Sequence, residues 1–168
     1  MNRFSSECDK TVKFCKDISV SAAAGSHSVN FFKVHGPVRI IDQVAEIVSV
    51  TTLTNLTAVY ADLWDGTVSE LLTDNSPGAV LSGAPVFSYF TKDKDPSFPY
   101  SVLLADQGRA HEVTADRFIG TPFNVNKKST ADTFIRLNFT TTDDPVVFDI
   151  HLRFEWQPIN GGWLESLV

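Results

Sequence analysis

The chain has 168 residues, of which 43% are hydrophobic and 20% are charged, and its formal net charge at pH 7 is −6. This length fits one domain with a hydrophobic core of its own. Phosphate-binding surfaces need concentrated positive charge, so the acidic balance and the lack of a Lys or Arg cluster exclude nucleic acid as an expected partner. No apolar run approaches the roughly 20 residues of a transmembrane helix, so no membrane partner is expected. Residues 1–10 lack the apolar stretch of a secretory signal.

The composition favours strands over helices. The chain contains 18 Val, 15 Thr and 13 Phe, which are residues that fit a pleated, half-buried surface. Asp exceeds Glu by 14 to 6, and Asp favours turns and loops over helices. An all-β protein is therefore expected.

The first fifteen residues differ from the rest of the chain. They are polar, and their only sizeable apolar side chains are Phe4, Val12 and Phe14. Three such side chains are too few for a core but enough to anchor an extension on a neighbour. We expect an N-terminal arm over residues 1–15, and plain terminal disorder remains the open alternative.

Alternating apolar and polar residues mark the strands that follow. Their boundaries are set by Gly, Pro, Asn and Asp clusters. The predicted strands are Lys16–Ala22, Ser28–Val34, Pro37–Thr52, Thr57–Trp64, Thr67–Thr73, Ala79–Ser82, Pro85–Thr91, Phe98–Ala105, Phe118–Val125, Asp132–Thr140 and Pro145–Trp156.

Four local signals refine this series. The alternation slips near Ile41, which predicts a β-bulge in the third strand. Asp65-Gly66 is a strong hairpin signal between the fourth and fifth strands. The turn residues 141–145 predict that the last two long strands pair with each other. A helical turn fits only at Asp106–Thr114.

The last long strand has the clearest pattern. Val146, Phe148, Ile150, Leu152, Phe154 and Trp156 fall on one face, and mostly polar residues fall on the other. We therefore expect a core strand whose middle residues, Phe148 to Phe154, bury their apolar side chains almost fully. Eight to eleven strands at this spacing predict one antiparallel two-sheet β-sandwich over residues 16–160, jelly-roll-like in form.

The C-terminal residues 161–168 form an apolar tail after a glycine pair. Exposed apolar clusters usually mark interaction sites, so we expect both chain ends to make intermolecular contacts in a homo-oligomer. The tail folding back onto its own sandwich remains the open alternative. The candidate interface residues are Phe4, Phe14, Trp163, Leu164, Leu167 and Val168.

Catalytic and metal-binding patterns are weak. No phosphate loop, nucleophile elbow or zinc-protease motif occurs, and the four histidines lie on separate predicted segments. His151 is expected to face solvent. Cys8 and Cys15 lack zinc-ligand spacing, and free thiols or one local disulfide both remain open. Asp93 and Asp95 do not complete a calcium loop. We expect no enzyme activity, cofactor or metal.

Four stretches carry a resemblance to a known family: Asp17-Ile-Ser-Val-Ser21, the segment Val29–Ile41, Val44-Ala-Glu-Ile-Val48 and Trp156-Gln-Pro158. In these stretches the chain resembles the small β-sandwich structural proteins of tailed bacteriophage virions. The resemblance covers Lys16 to Trp163, and the polar N-terminus and the loop Lys92–Pro96 depart from it. It implies a non-enzymatic protein that decorates or cements a capsid, or sits at a head–tail junction, with the major capsid protein as partner and the virion as location.

A second interpretation is a carbohydrate- or receptor-binding β-sandwich. Its aromatic stacking platforms would be Tyr60, Trp64, Tyr89 or Tyr100. A jelly-roll enzyme is a third interpretation.

Overall fold

A computed structural model describes residues 10–52, 56–72, 89–92, 102–105, 123–128 and 131–168 of the chain. These ranges contain eleven strands and no helix. The helical turn predicted at Asp106–Thr114 and the short strand predicted at Ala79–Ser82 lie outside the described residues. The strands are β1 (Val12–Ala22), β2 (Gly25–Val34), β3 (Val38–Thr52), β4 (Leu56–Trp64), β5 (Ser69–Leu71), β6 (Tyr89–Lys92), β7 (Val102–Ala105), β8 (Phe123–Val125), β9 (Phe134–Thr141), β10 (Val146–Pro158) and β11 (Leu164–Ser166).

The strands form two antiparallel sheets that pack against each other, as the sequence predicts. Sheet A has the order β1-β10-β3-β6-β7, and β8 also pairs with β3. Sheet B has the order β11-β2-β9-β4-β5.

Strand β10 is the core strand of sheet A. It pairs along its length with β1 on one side and with β3 on the other. Phe148, Ile150, Leu152 and Phe154 are each at most 4% exposed, so the predicted burial of this face is confirmed. A central strand that buries one face needs alternating side chains, which is why the sequence pattern is clearest here.

Strand β3 carries the predicted bulge. Asp42 lies opposite Glu155 and Ile40 opposite Trp156, so Ile41 is an extra residue without a partner. Two more register shifts occur towards the end of β3, and they leave Val48 and Thr51 as further extra residues. Bulges increase local twist and let a long strand bend around the core.

The predicted hairpin at Asp65-Gly66 joins β4 to β5. The Asp65 carboxylate accepts hydrogen bonds from the backbone N–H groups of Thr67 (2.9 Å) and Val68 (2.6 Å). The bond from Val68 and then the bond from Thr67 lower the pKa of the Asp65 carboxyl. Gly66 has φ +90°, a conformation that favours glycine.

Aromatic side chains join the two sheets. Phe32 of sheet B is fully buried, and its ring centroid lies 4.8 Å from that of Phe154 and 5.1 Å from that of Phe14, both in sheet A. Phe139 of sheet B meets Phe148 of sheet A edge-on at 5.8 Å. Such contacts contribute beyond the area that the rings bury.

The pairing predicted through residues 141–145 is wrong. This connection runs from β9 in sheet B to β10 in sheet A, so the two strands lie in different sheets. Each already has a strand on both sides: β2 and β4 flank β9, while β1 and β3 flank β10. Neither strand therefore has an edge available for the other.

The predicted boundaries of the arm and the tail are also corrected. Val12 to Cys15 belong to β1, and Val12 and Phe14 are partly buried against the core. Leu164 to Ser166 form β11, so the sandwich extends past residue 160. The physical reason is the same at both ends, because each segment finds a paired strand, β10 or β2, along which its backbone groups hydrogen bond.

Candidate functional site

The predicted interface residues divide into buried and exposed groups. Leu164 is 5% exposed and lies in the core, while Phe14 and Val168 are partly buried against it. Trp163 (48% exposed) and Leu167 (43% exposed) remain at the surface, and we call these two residues the C-terminal patch. Phe4 lies outside the described residues.

The C-terminal segment is fixed on the sandwich rather than hinged. A Cβ atom on Gly162 would lie 2.0 Å from the carbonyl oxygen of Pro37, so only glycine fits there. The backbone of His35 donates a hydrogen bond to the carbonyl of Trp163 (2.9 Å), and Leu167 donates one to Phe31 (3.0 Å). Gly162 therefore allows close packing against Pro37, and the backbone hydrogen bonds hold the C-terminal patch in one orientation.

Trp163 and His35 form a stacked pair at this surface. Their rings are nearly parallel, at 5°, with centroids 4.1 Å apart. His35 Nε2 lies 2.7 Å from a carboxylate oxygen of Glu165, which fixes the imidazole ring beneath the indole. The C-terminal patch therefore presents two exposed apolar side chains, and the carboxylate of Glu165 lies between them in the chain.

The outer face of sheet A is a polar surface centred on β10. Asp149 accepts hydrogen bonds from Ser19 of β1, at 2.5 Å, and from Ser49 of β3. The bond from Ser19 and then the bond from Ser49 lower the pKa of the Asp149 carboxyl. Arg153 donates to Asp42 at 2.8 Å across the same face.

One row of this face joins a thiol, an imidazole and a carboxylate. Cys15 Sγ lies 3.3 Å from His151 Nε2, and His151 Nδ1 lies 2.6 Å from Asp17 Oδ1. Cys15 is a free, exposed thiol. His151 is half-buried between two partners, so its predicted solvent-facing position is only partly met. No sequence motif indicated this row, because Cys15 and His151 are 136 positions apart.

The outer face of sheet B contains a buried ion pair. The Asp62 side chain has no exposed surface, and its two carboxylate oxygens accept bonds of 2.9 and 2.6 Å from Arg136. Ser69 donates a third bond at 2.6 Å. Burial by itself would raise the pKa of Asp62, but hydrogen bonds from Arg136 and Ser69 and the charge of Arg136 hold it below its usual value.

Aromatic side chains flank this pair. The guanidinium carbon of Arg136 lies 4.3 Å from the centre of the Trp64 ring, a cation–π contact. Tyr60 lies two residues before Asp62 on the same face of β4 and lines an open hollow of about 140 Å³. Hydroxyl and amide groups and a histidine line the rest of this hollow, in which the Ser28 hydroxyl donates to the side-chain oxygen Oδ1 of Asn138 at 2.5 Å. The remaining lining residues are Ser26, His27, Phe139 and Thr140.

Two of the four predicted stacking residues lie on the same strand. Tyr60 and Trp64 share one face of β4, since alternate residues of a strand point the same way. Tyr89 begins β6 in sheet A, and Tyr100 lies outside the described residues.

Within the described ranges, no cluster of three or more His, Cys, Asp or Glu side chains is arranged to hold a metal ion. In the same ranges, no helix is long and apolar enough to span a membrane. Comparisons with protein-family models, with curated proteins and with solved structures give no match for this chain.

Proposed function

We propose that this chain is a non-enzymatic virion structural protein that self-associates and binds a capsid shell. The observation that carries the proposal is the strand order. Strands β1, β10, β3 and β6 lie side by side in one sheet, and β2, β9, β4 and β5 lie side by side in the other. Strands β1 to β4 thus alternate between the sheets, while β4 and β5 stay in one sheet as a hairpin, and this order supports a jelly roll. Jelly rolls occur in viral capsid and lectin domains.

Fold alone does not define a function, so the surface has to supply the contact. The C-terminal patch suits binding to a shell protein because its indole and leucine side chains are exposed and yet held rigidly. Rigid aromatic side chains lose little conformational entropy on binding and are common at the centres of protein interfaces. We propose that Trp163 and Leu167 contact the major capsid protein.

The test is co-sedimentation of the purified protein with assembled shells of the major capsid protein from the same source. We expect binding by the parent chain and at least about tenfold weaker binding by Trp163→Ser/Leu167→Ser, as for loss of a central hot spot. Val68→Ser/Leu71→Ser is the matched control, since those side chains are 53% and 39% exposed at the β4–β5 hairpin. Absence of the chain from purified particles, measured by mass spectrometry, would contradict the proposal.

A carbohydrate-binding module is the second candidate function. The observation that favours it is the group of Tyr60, Trp64 and the hollow on the outer face of sheet B. Sugar rings stack on aromatic faces while fixed polar groups bind their hydroxyls, and lectins use the same sandwich architecture. Tyr60→Ala and Trp64→Ala would then each abolish binding on a glycan array. Equal signals from the parent chain and both variants would exclude this surface as a glycan site.

A further inference from the structure

We propose that two copies of the chain pair antiparallel through the outer edge of β1, with Cys15 facing Cys15 across a twofold axis. This inference rests on the self-association in the proposed function, and it names the surface and the register. It would join two copies of sheet A into one continuous sheet.

The edge itself is the first observation. Strand β1 is eleven residues long and pairs with β10 along its whole length. Among the described residues no strand lies on its other side, so one row of backbone N–H and C=O groups faces outward. Long edges of this kind are templates for another strand.

Charge complementarity favours one register of this strand pair. The outward-facing row of β1 contains Lys13, Cys15, Asp17, Ser19 and Ser21. In an antiparallel pair centred on Cys15, Lys13 lies opposite Asp17 of the other copy, and the reverse contact forms by symmetry. Centring the pair on Lys13 or on Asp17 would instead place like charges face to face, which is unfavourable.

The same register continues the rows that already cross sheet A. Lys13 is paired with Glu155, at 3.0 Å, and Asp17 with His151. Across the joined sheet the row would run Glu155, Lys13, then Asp17 and His151 of the second copy. Glu155, Lys13 and Asp17 of the second copy would therefore alternate in charge, and His151 would follow as the hydrogen-bond partner of that Asp17.

The inner face of β1 limits how strong the pairing is. Val12 would lie opposite Ile18 of the other copy, which extends the apolar core across the junction. Lys16, however, lies on this inner face and is exposed, and inward charges are a common protection of edges against pairing. In this register its partner is Phe14, and its aliphatic stem can cover that ring while the ammonium reaches water. We therefore expect weak pairing between chains that are free in solution. Pairing should be stronger between copies that a capsid shell holds close together.

Disulfide trapping tests the register directly in the full chain with Cys8→Ser. Facing residues of antiparallel strands have Cα atoms about 4.5–5.5 Å apart, which a disulfide spans. Oxidised glutathione first reacts with the Cys15 thiolate of one copy, which gives a Cys15–glutathione mixed disulfide and releases one reduced glutathione. The Cys15 thiolate of the other copy then attacks the Cys15 sulfur of this mixed disulfide and releases the second glutathione, which gives a disulfide-linked dimer. The matched control is Cys8→Ser/Cys15→Ser/Ser21→Cys, whose two thiols would lie about 40 Å apart in this register.

Charge exchange is the second arm, read out by sedimentation equilibrium. Lys13→Asp or Asp17→Lys alone creates two symmetry-related like-charge contacts, so we expect the dimer dissociation constant to rise about tenfold. The double variant Lys13→Asp/Asp17→Lys restores opposite charges between copies, and we expect recovery to within about threefold. It still lacks both parental contacts within each chain, so recovery can come only from the junction.

The outcomes separate the two proposals. Faster linking through Cys15 than through position 21, with recovery in the double variant, supports the pairing. Oligomers that form without linking at Cys15 overturn this pairing and leave the self-association intact. A chain that stays monomeric at all concentrations and on shells overturns both.

Discussion

Replacing Arg136 by Met should strongly destabilise the sandwich, because it leaves the Asp62 carboxylate buried without a cation. Asp62 accepts two hydrogen bonds from Arg136 and one from Ser69. The Arg136 guanidinium also covers the ring of Trp64. Methionine keeps most of the length and apolar volume of the side chain, so the loss is mainly electrostatic. Breaking a buried pair from one side costs about 3–5 kcal/mol. That is a large part of the roughly 5–15 kcal/mol that stabilises a domain.

The chain supplies a matched control in sheet A. Arg153 donates to Asp42 at 2.8 Å, but its side chain is 50% exposed, against 14% for Arg136. Exposed pairs contribute about 0–1 kcal/mol, so Arg153→Met should have little effect. Urea unfolding followed by tryptophan fluorescence measures the free energy of unfolding for both variants. If both variants lose less than about 1 kcal/mol of unfolding free energy, the argument that the Asp62–Arg136 pair is shielded from water is refuted.

The pH dependence gives an independent check with a definite sign. In the parent chain the pKa of Asp62 lies below its ordinary value of 3.8. The ionised Asp62 therefore contributes to the stability of the fold at pH values above 3.8, and this contribution is lost as the pH falls through the folded-state pKa. In Arg136→Met, burial without the cation raises the folded-state pKa above 3.8, so the folded variant takes up a proton first. The stability gap between variant and parent should narrow from pH 7 towards pH 4.

A second variant identifies the unpaired charge as the cause. Asp62→Asn in addition to Arg136→Met removes the carboxylate, so it should recover part of the lost stability at pH 7. A double variant less stable than Arg136→Met alone would show that lost packing, rather than buried charge, dominates.

Two further predictions concern the core and the C-terminal strand. Phe148→Ala should lower the free energy of unfolding by about 3–5 kcal/mol, because it leaves a cavity against Phe139. The control Val48→Ala, at a 40% exposed bulge residue, should lower it by less than about 0.5 kcal/mol. Equal melting temperatures of the two variants would contradict the assignment of β10 to the core. Gly162→Ala should detach β11, because its Cβ would overlap Pro37, and hydrogen exchange of the β11 amides should become fast. Gly161→Ala is the control, because φ is positive there (+79°) but a Cβ atom would have no other atom within 4 Å. Equally fast exchange in both variants would show that backbone strain, and not overlap with Pro37, detaches β11.

Patterns that involve one strand could be predicted from the sequence. The face of β10 follows from strict alternation, and the bulge at Ile41 follows from two adjacent isoleucines. The bulges at Val48 and Thr51 could not be predicted, because every residue from Ile47 to Thr52 is β-branched or small and suits either face. The sequence also could not predict which strands pair with each other. A turn such as 141–145 looks the same whether it joins neighbours in one sheet or crosses between two.

The ends of the chain show a different limit. Apolar residues after a glycine pair suit a free tail and a docked strand equally well. What decides is the space beside Pro37, into which only a residue without a side chain fits at position 162. That space is created by the β2–β3 corner, more than a hundred residues earlier in the chain. No local pattern can reveal it.

The buried Asp62–Arg136 pair of sheet B helps to fix the register between β4 and β9, which the alternation of apolar and polar residues alone does not determine. A shift of β4 along β9 by one residue would turn Asp62 to the inner face, so the apolar pattern already excludes it. A shift by two residues keeps every side chain on its proper face and is not excluded by that pattern. It would, however, move Asp62 from its place opposite Arg136 to one opposite Asn138 or Phe134. The carboxylate would then be buried without its guanidinium partner, at the cost that Arg136→Met measures. We therefore expect the apolar alternation to select the face of β4 and the Asp62–Arg136 pair to select its register.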